Sequence, residues 1–227
     1  MREIVLDTET TGFDPNDGHR LVEIGCLELY NYIATGRTFH CYLNPERDVP
    51  AEAVAVHGLT DTFLADKPIM ATVATNFLEF LGDDTLVIHN AEFDLKFINA
   101  ELRRVGYKTL TNPVVDTVLM ARKKYPGQPA NLDALCRRFK IDLSERTLHG
   151  ALLDAQLLAD VYLEMKGGRQ QGLELMDAPA AAMTIAATMT AAHTPRVPRV
   201  FTVSDAERAA HAALVQTLGD QALWRKY

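Results

Sequence analysis

The chain has 227 residues, 48% of them hydrophobic, with a formal net charge of -7. That is enough apolar material for one good-sized core plus extra segments, and too acidic for a protein that grips duplex DNA through a broad basic surface. No apolar run approaches a membrane span, and no secretory leader precedes the first strand-like run, so a cytoplasmic protein is expected. Cys26, Cys41 and Cys136 form no Cys-x-x-Cys pair and read as reduced core residues.

Three strand-like runs come first, at about 3–8, 21–30 and 36–43, joined by short polar connections as in an antiparallel meander. The apolar spacing predicts a helix over about 70–81, with Val73, Phe77, Phe80 and Leu81 on one face. Thr85 to His89 is a short strand. A helix follows at about 91–105, with Phe93, Phe97, Ile98, Leu102 and Val105 as its buried stripe. Val114-Val115 is the last strand, and helices follow at about 117–124, 131–139 and 150–166. Strands first, then strand–helix alternation, indicate an α/β layered domain with a mixed sheet.

Gly167-Gly168 ends that domain. From Ala178 to Val203 there is no acid, and Ala, Thr, Met and Pro dominate, which reads as a linker. Ser204-Asp205-Ala206-Glu207 is a capping box opening a helix to about Leu218, with Gly219 as its stop. The only tryptophan, Trp224, lies near the end.

Three places carry candidate chemistry. The first is Ile4-Val5-Leu6-Asp7-Thr8-Glu9-Thr10-Thr11-Gly12, a buried strand ending in two acids. Side chains alternate along a strand, so Asp7 and Glu9 share a face and repel each other unless a cation lies between them. The second is Asn90-Ala91-Glu92-Phe93-Asp94, at a strand-to-helix junction. Asn90 is a natural N-cap there, and a first-turn Asp94 benefits from the helix dipole.

The third is His149-Gly150-Ala151-Leu152-Leu153-Asp154. Five residues of ideal helix turn through roughly 500°, leaving the two ends about 140° apart. To serve one site, His149 should lie in the loop before the helix and Asp154 on its exposed flank, beside a buried stripe of Leu153, Leu157 and Val161. Taken singly, each place also reads as an ordinary turn, cap or solvated helix acid. Together they supply four carboxylates and a histidine, the ligand chemistry magnesium prefers and a set suited to two-ion attack on a phosphodiester. His149 would act as a neutral base. Asp116 reads as a helix N-cap rather than a ligand, and His89 as a strand end.

With Asp7-x-Glu9, Asn90-x-x-x-Asp94 and His149-x-Ala151-x-x-Asp154 in this order, the chain resembles the DEDD superfamily of 3′–5′ exonucleases, in its histidine-containing branch. Within it, the chain looks most like the proofreading subunits of bacterial replicases. Val56-His57-Gly58-Leu59-Thr60, Ala130-Asn131-Leu132-Asp133-Ala134-Leu135-Cys136 and Arg146-Thr147-Leu148-His149-Gly150 add to that likeness, which covers about residues 2–166.

The resemblance implies a ribonuclease H-like α/β fold, a mixed five-stranded sheet flanked by helices, with a flexible C-terminal tail. It implies two divalent ions, Mg²⁺ or Mn²⁺, with Asp7, Glu9 and Asp154 as direct ligands, Asp94 acting mainly through water, and His149 as general base. Thr8 and Thr10 would position the terminal nucleotide through backbone or hydroxyl groups, with His57 nearby in its loop. Gln171-Gly172-Leu173-Glu174-Leu175-Met176 resembles a clamp-binding peptide, with Gln171, Leu173, Leu175 and Met176 as anchors. The segment from about Arg196 to Trp224 resembles the part that holds the catalytic (alpha) polymerase subunit.

The implied organisation is an exonuclease domain at 1–168, a clamp-binding segment at 169–177, a linker at 178–203 and a polymerase-binding tail at 204–227. The implied partners are that polymerase, a sliding clamp and the single-stranded 3′ end of DNA, with room for a small accessory subunit and none for a membrane. Two other functions stay open: an RNA-trimming exonuclease with the same site, and a catalytically silent scaffold between polymerase and clamp.

Overall fold

A computed structural model describes residues 1–144, 146, 148–168 and 203–218. The chain divides into two units, Met1–Met176 and Asp177–Tyr227. In the first, β1 (Arg2–Thr10), β2 (Leu21–Tyr30) and β3 (Ile33–Tyr42) form the antiparallel meander expected from the sequence. β4 (Thr85–Ile88) and β5 (Val114–Asp116) add in parallel, giving a five-stranded sheet ordered β3-β2-β1-β4-β5.

β1 is central, so both of its faces are covered and its apolar run is continuous. Ile4 and Leu6 point to one face, where α3 (Met70–Leu81) and α4 (Ala91–Arg104) bring Phe77, Leu81, Phe97 and Ile98. Val5 points to the other, where α6 (Leu132–Phe139) and α7 (Ala151–Met165) bring Leu135, Leu158, Val161 and Tyr162. α5 (Thr117–Lys124) adds Ala121 on that side. Cys26 and Cys136 are buried and Cys41 half-buried, and all three are free thiols.

The sequence reading missed two short helices, α1 (Ala51–His57) and α2 (Asp61–Leu64). Val22, Val49 and Leu64 form a small separate core beneath them. α1 has seven residues, too few for a helical period to show, and it begins directly after Pro50. It matters because the His149 backbone N–H donates to Val56 O at 3.1 Å, fastening the loop before α7 to α1.

Gly25 on β2 sets the approach of α7. A Cβ there would lie 2.3 Å from both the carbonyl carbon of Ala151 and the nitrogen of Leu152, which are backbone atoms that cannot turn aside. Gly25→Ala should therefore push back the first turn of α7, which carries Asp154, and cost about 1–3 kcal/mol. Chemical denaturation and a rate assay would test this. Activity should fall by more than the folded fraction does, because a misplacement of about 1 Å can cost roughly 10²-fold.

In the second unit the structure describes one helix, α8 (Asp205–Thr217). Its capping box is complete: Glu207 N–H donates to Ser204 Oγ at 3.3 Å, and Ser204 N–H donates to Glu207 Oε2 at 2.9 Å. The clamp-like residues Gln171, Leu173, Leu175 and Met176, nearly all of the linker, Gly219 and Trp224 lie outside the described residues.

Candidate active site

The carboxyl end of β1 delivers Asp7 and Glu9 to the face covered by α7, because they continue the parity of Val5. Thr8 turns the other way and donates its hydroxyl to Asp94 Oδ1 at 2.7 Å. That bond joins the strand end to α4 and leaves Asp94 only 3% exposed. Asn90 stands at the N-cap position of α4, but it adopts a left-handed conformation (φ 69°) and its side chain caps nothing. Asp116 does that work instead. Its Oδ2 accepts from Ala91 N–H at 3.0 Å, and its Oδ1 accepts from Val118 and Leu119 N–H at 2.8 and 3.1 Å. One carboxylate thus holds the N-termini of α4 and α5 together, in keeping with a capping role for Asp116.

His149 lies in the loop before α7, with 48% of its side chain exposed. Asp154 is not on an exposed flank as expected; it is 4% exposed. The reason is that α7 packs on β1, β2 and α6 at once, so the side of its first turn that faces the sheet end is enclosed. Asp7, Glu9, Asp94, Asp154 and His149 all line one cavity of about 490 Å³. Ligand atoms of Glu9, His149 and Asp154 lie within 4.8 Å of one another.

The electrostatics are those of a site that wants positive charge. Burial, reinforced by Asp94, Glu9 and Asp154, pushes the Asp7 carboxyl well above its ordinary range. Burial, with Asp154 and Glu23 adding repulsion, lifts Glu9 to about 8. Burial also lifts Asp94 to about 7, against the hydrogen bond from Thr8, which favours its charged form. Closely set oxygen donors that resist ionisation alone suit a hard divalent cation, so the residues present fit such ions.

Other residues of the cavity were given no part in the chemistry from the sequence. Arg146 is the main one: its Nε and Nη2 donate to the two oxygens of Asp154, each at 2.6 Å. Its Nη1 pairs with Asp133, and Arg137, Asn131 and Phe93 also line the wall. Arg146 sits in an irregular loop without periodicity; its sequence signals are its place in the family-like stretch Arg146-Thr147-Leu148-His149-Gly150 and a cation three residues before the candidate histidine. His89, just past β4, also lines the cavity, with Nδ1 2.8 Å from Thr117 Oγ1 and burial lowering its proton affinity.

A second groove of about 530 Å³ adjoins the first, and both are bordered by Thr8, Glu9 and Phe93. Its walls include Phe13, which is 88% exposed, and Val56, at 46%. His57 lines it too, but as the last residue of α1 rather than a loop residue. It is 5% exposed, and its Nδ1 accepts from Leu59 N–H at 3.0 Å. The Thr10 hydroxyl donates to Gly12 O at 2.6 Å, so the hydroxyls of Thr8 and Thr10 are both engaged within the protein.

An exonuclease family model (RNase_T) matches residues 4–162. The DNA polymerase III subunit epsilon of Salmonella typhimurium is 46% identical over 237 residues, covering 99% of this chain and 97% of that one. The protein of the same name from Rickettsia typhi is 54% identical over 184 residues, covering 79% and 80%. Among solved structures, exonuclease X in complex with 5′-overhanging duplex DNA superposes with a TM-score of 0.58 at 24% identity, covering 72% of this chain and 90% of that one. An Escherichia coli exonuclease I complex with single-stranded DNA gives 0.64 at 17% identity, covering 73% and 40%. These two likenesses establish the ribonuclease H-like fold.

Proposed function

Because the chain belongs to the exonuclease family, among the DNA polymerase III epsilon subunits, it is a 3′–5′ proofreading exonuclease, and we propose that Asp7, Glu9, Asp94, Asp154 and His149 carry its chemistry with two divalent ions. The observation that supports this most is the meeting of five residues, drawn from a strand end, a helix start and a loop-to-helix junction, in one cavity. Asp7, Glu9 and Asp154 would hold Mg²⁺ or Mn²⁺ directly, and Asp94, steadied by Thr8, through water. Bound there, the ions would supply the charge that acidifies the attacking water and stabilises the leaving 3′ oxygen. His149, exposed at the rim, takes the proton from that water.

The adjoining groove takes the terminal nucleotide. Its apolar walls at Phe13, Val56 and Phe93 offer faces to a base rather than hydrogen bonds to a base edge, which suits an enzyme that must remove any wrong nucleotide. With both threonine hydroxyls engaged, the backbone of Thr8 and Thr10 is left to position the nucleotide, with His57 supporting the wall. Mispaired ends reach the site more often because they cost less to unpair. The test is release of nucleotide from a 3′-labelled single-stranded DNA with and without Mg²⁺, beside a matched RNA. Mg²⁺-dependent release, faster on DNA, is expected; faster release from RNA would favour RNA trimming, and no release would favour a scaffold.

The rest of the reading concerns the tail. Residues 169–177 dock on a sliding clamp through Gln171, Leu173, Leu175 and Met176, 178–203 form a tether, and 204–227, with Trp224, hold the catalytic (alpha) subunit of DNA polymerase III. The likeness to the Salmonella protein supports this because it runs through the tail. A tether of about 26 residues spans roughly 28 Å on average, keeping the nuclease near the primer end while it pivots. Truncation after Asp177 should leave full activity on free single strands and abolish co-purification with the polymerase; undiminished polymerase binding would place the anchor elsewhere. A cytoplasmic location fits, and no described helix is long and apolar enough to cross a membrane. A small accessory subunit is compatible with this assembly.

A further inference from the structure

A cation of the chain's own already grips two of the five site residues. Arg146 donates to both oxygens of Asp154, and its Nη2 also lies 2.9 Å from Nδ1 of His149. Its third nitrogen is tied to Asp133, at the start of α6, and only 10% of the side chain is exposed. A guanidinium has donors and no acceptor, so Nδ1 of His149 must be the acceptor in that contact. The lone pair at Nδ1 is then filled, and a neutral His149 carries its proton at Nε2. With Nδ1 bonded to Arg146 and Nε2 protonated, His149 has no free lone pair with which to take a proton from water.

Asp154 is partly engaged too. A fork of two 2.6 Å charge-assisted bonds takes up one lone pair on each oxygen, the pair with which the carboxylate would hold a cation through both oxygens at once. Arg146 meets two of the three residues whose ligand atoms cluster within 4.8 Å, so it occupies the ground a divalent ion would need.

We propose that Arg146 is an internal latch. Its guanidinium competes with a divalent cation for Asp154 and, while in place, caps the base atom of His149. Ion binding and release of the latch are then one event, and the freed histidine becomes a base only when the site is loaded. The proposal rests on the two-ion reading of the site. It opposes the other role open to such an arginine, that of a support which orients Asp154 toward the ion.

The two roles differ in sign. If Arg146 competes, removing it strengthens ion binding; if it supports, removing it weakens ion binding. Mn²⁺ binding to the full chain without DNA, after chelator treatment, is measured by calorimetry for wild type and Arg146→Gln. The expected result is about ten-fold tighter binding by the variant, since a unit positive charge in direct contact with a ligand is removed. The variant should also melt lower than wild type in chelator, having lost the counter-charge of Asp154, and gain more in melting temperature on adding Mn²⁺.

Asp133→Asn is the second variant: it keeps Arg146 but loosens its anchor, and should shift Mn²⁺ affinity the same way by less. Equal or weaker Mn²⁺ binding by a folded Arg146→Gln, or by Asp133→Asn if the first does not fold, overturns the latch. Absence of saturable Mn²⁺ binding by wild type would instead overturn the two-ion reading on which it stands.

Discussion

Alanine at Asp7 or Glu9 should cut Mg²⁺-dependent release from a 3′-labelled single strand by roughly 10³-fold or more, as expected when charge stabilisation of the reacting phosphate is removed. The domain should stay folded, because in the protein alone neither acid has an opposite charge to lose on the scale of the Asp154–Arg146 pair. Both are held in a buried, like-charged setting that raises their proton affinity. An acid whose folded pKa is raised lends stability that is fully present below its unfolded value and is lost as pH rises through the folded one. For Glu9 that window runs from the ordinary 4.5 to about 8. In chelator, Glu9→Gln should therefore melt like wild type below about pH 4.5, progressively higher than wild type as pH climbs from there to about 8, and by a constant margin above that. Asp154 belongs to the same activity class but behaves differently in stability: Asp154→Ala strips Arg146 of its bidentate partner and should melt lower than wild type in chelator. Substantial Mg²⁺-dependent turnover by any of the three alanine variants would end the assignment of that residue as a ligand.

How much of this was legible beforehand follows from what each element owes to its own residues. The β-meander, β4 and the helices from α3 to α7 stood out because their apolar residues recur with the right period over enough residues. Strand alternation told that Asp7 and Glu9 share one face. What stayed hidden was set by tertiary packing. The reading of Asp154 as a helix-flank acid followed from treating α7 as covered on one side, whereas it is enclosed by β1, β2 and α6 together. Asn90 had the right residue type for a cap, yet its backbone is left-handed and its side chain makes no capping bond, and a carboxylate 26 positions later, Asp116, takes the role. The role of Arg146 was hidden most completely, although the residue stood in a family-like stretch. Nothing periodic marks a loop residue, and its partners Asp133, His149 and Asp154 come from two helices and the loop between them.

Replacing His149 by alanine should slow the chemical step by roughly 10²–10⁴-fold, the usual share of a positioned general base. The ring touches Arg146 at 2.9 Å and lies 3.3 Å from Asp154 Oδ2, yet nearly half of it faces solvent. It therefore contributes little to the core, and its backbone bond to Val56 does not depend on the side chain. Stability should change little, and so should affinity for a single-stranded 3′ end, if its terminal nucleotide sits in the neighbouring groove as proposed. Single-turnover measurements separate the possibilities, because they report chemistry without product release. A variant that binds DNA weakly but hydrolyses it at the wild-type single-turnover rate would make His149 a substrate-positioning residue, and the proton would then have to leave the attacking water by another route.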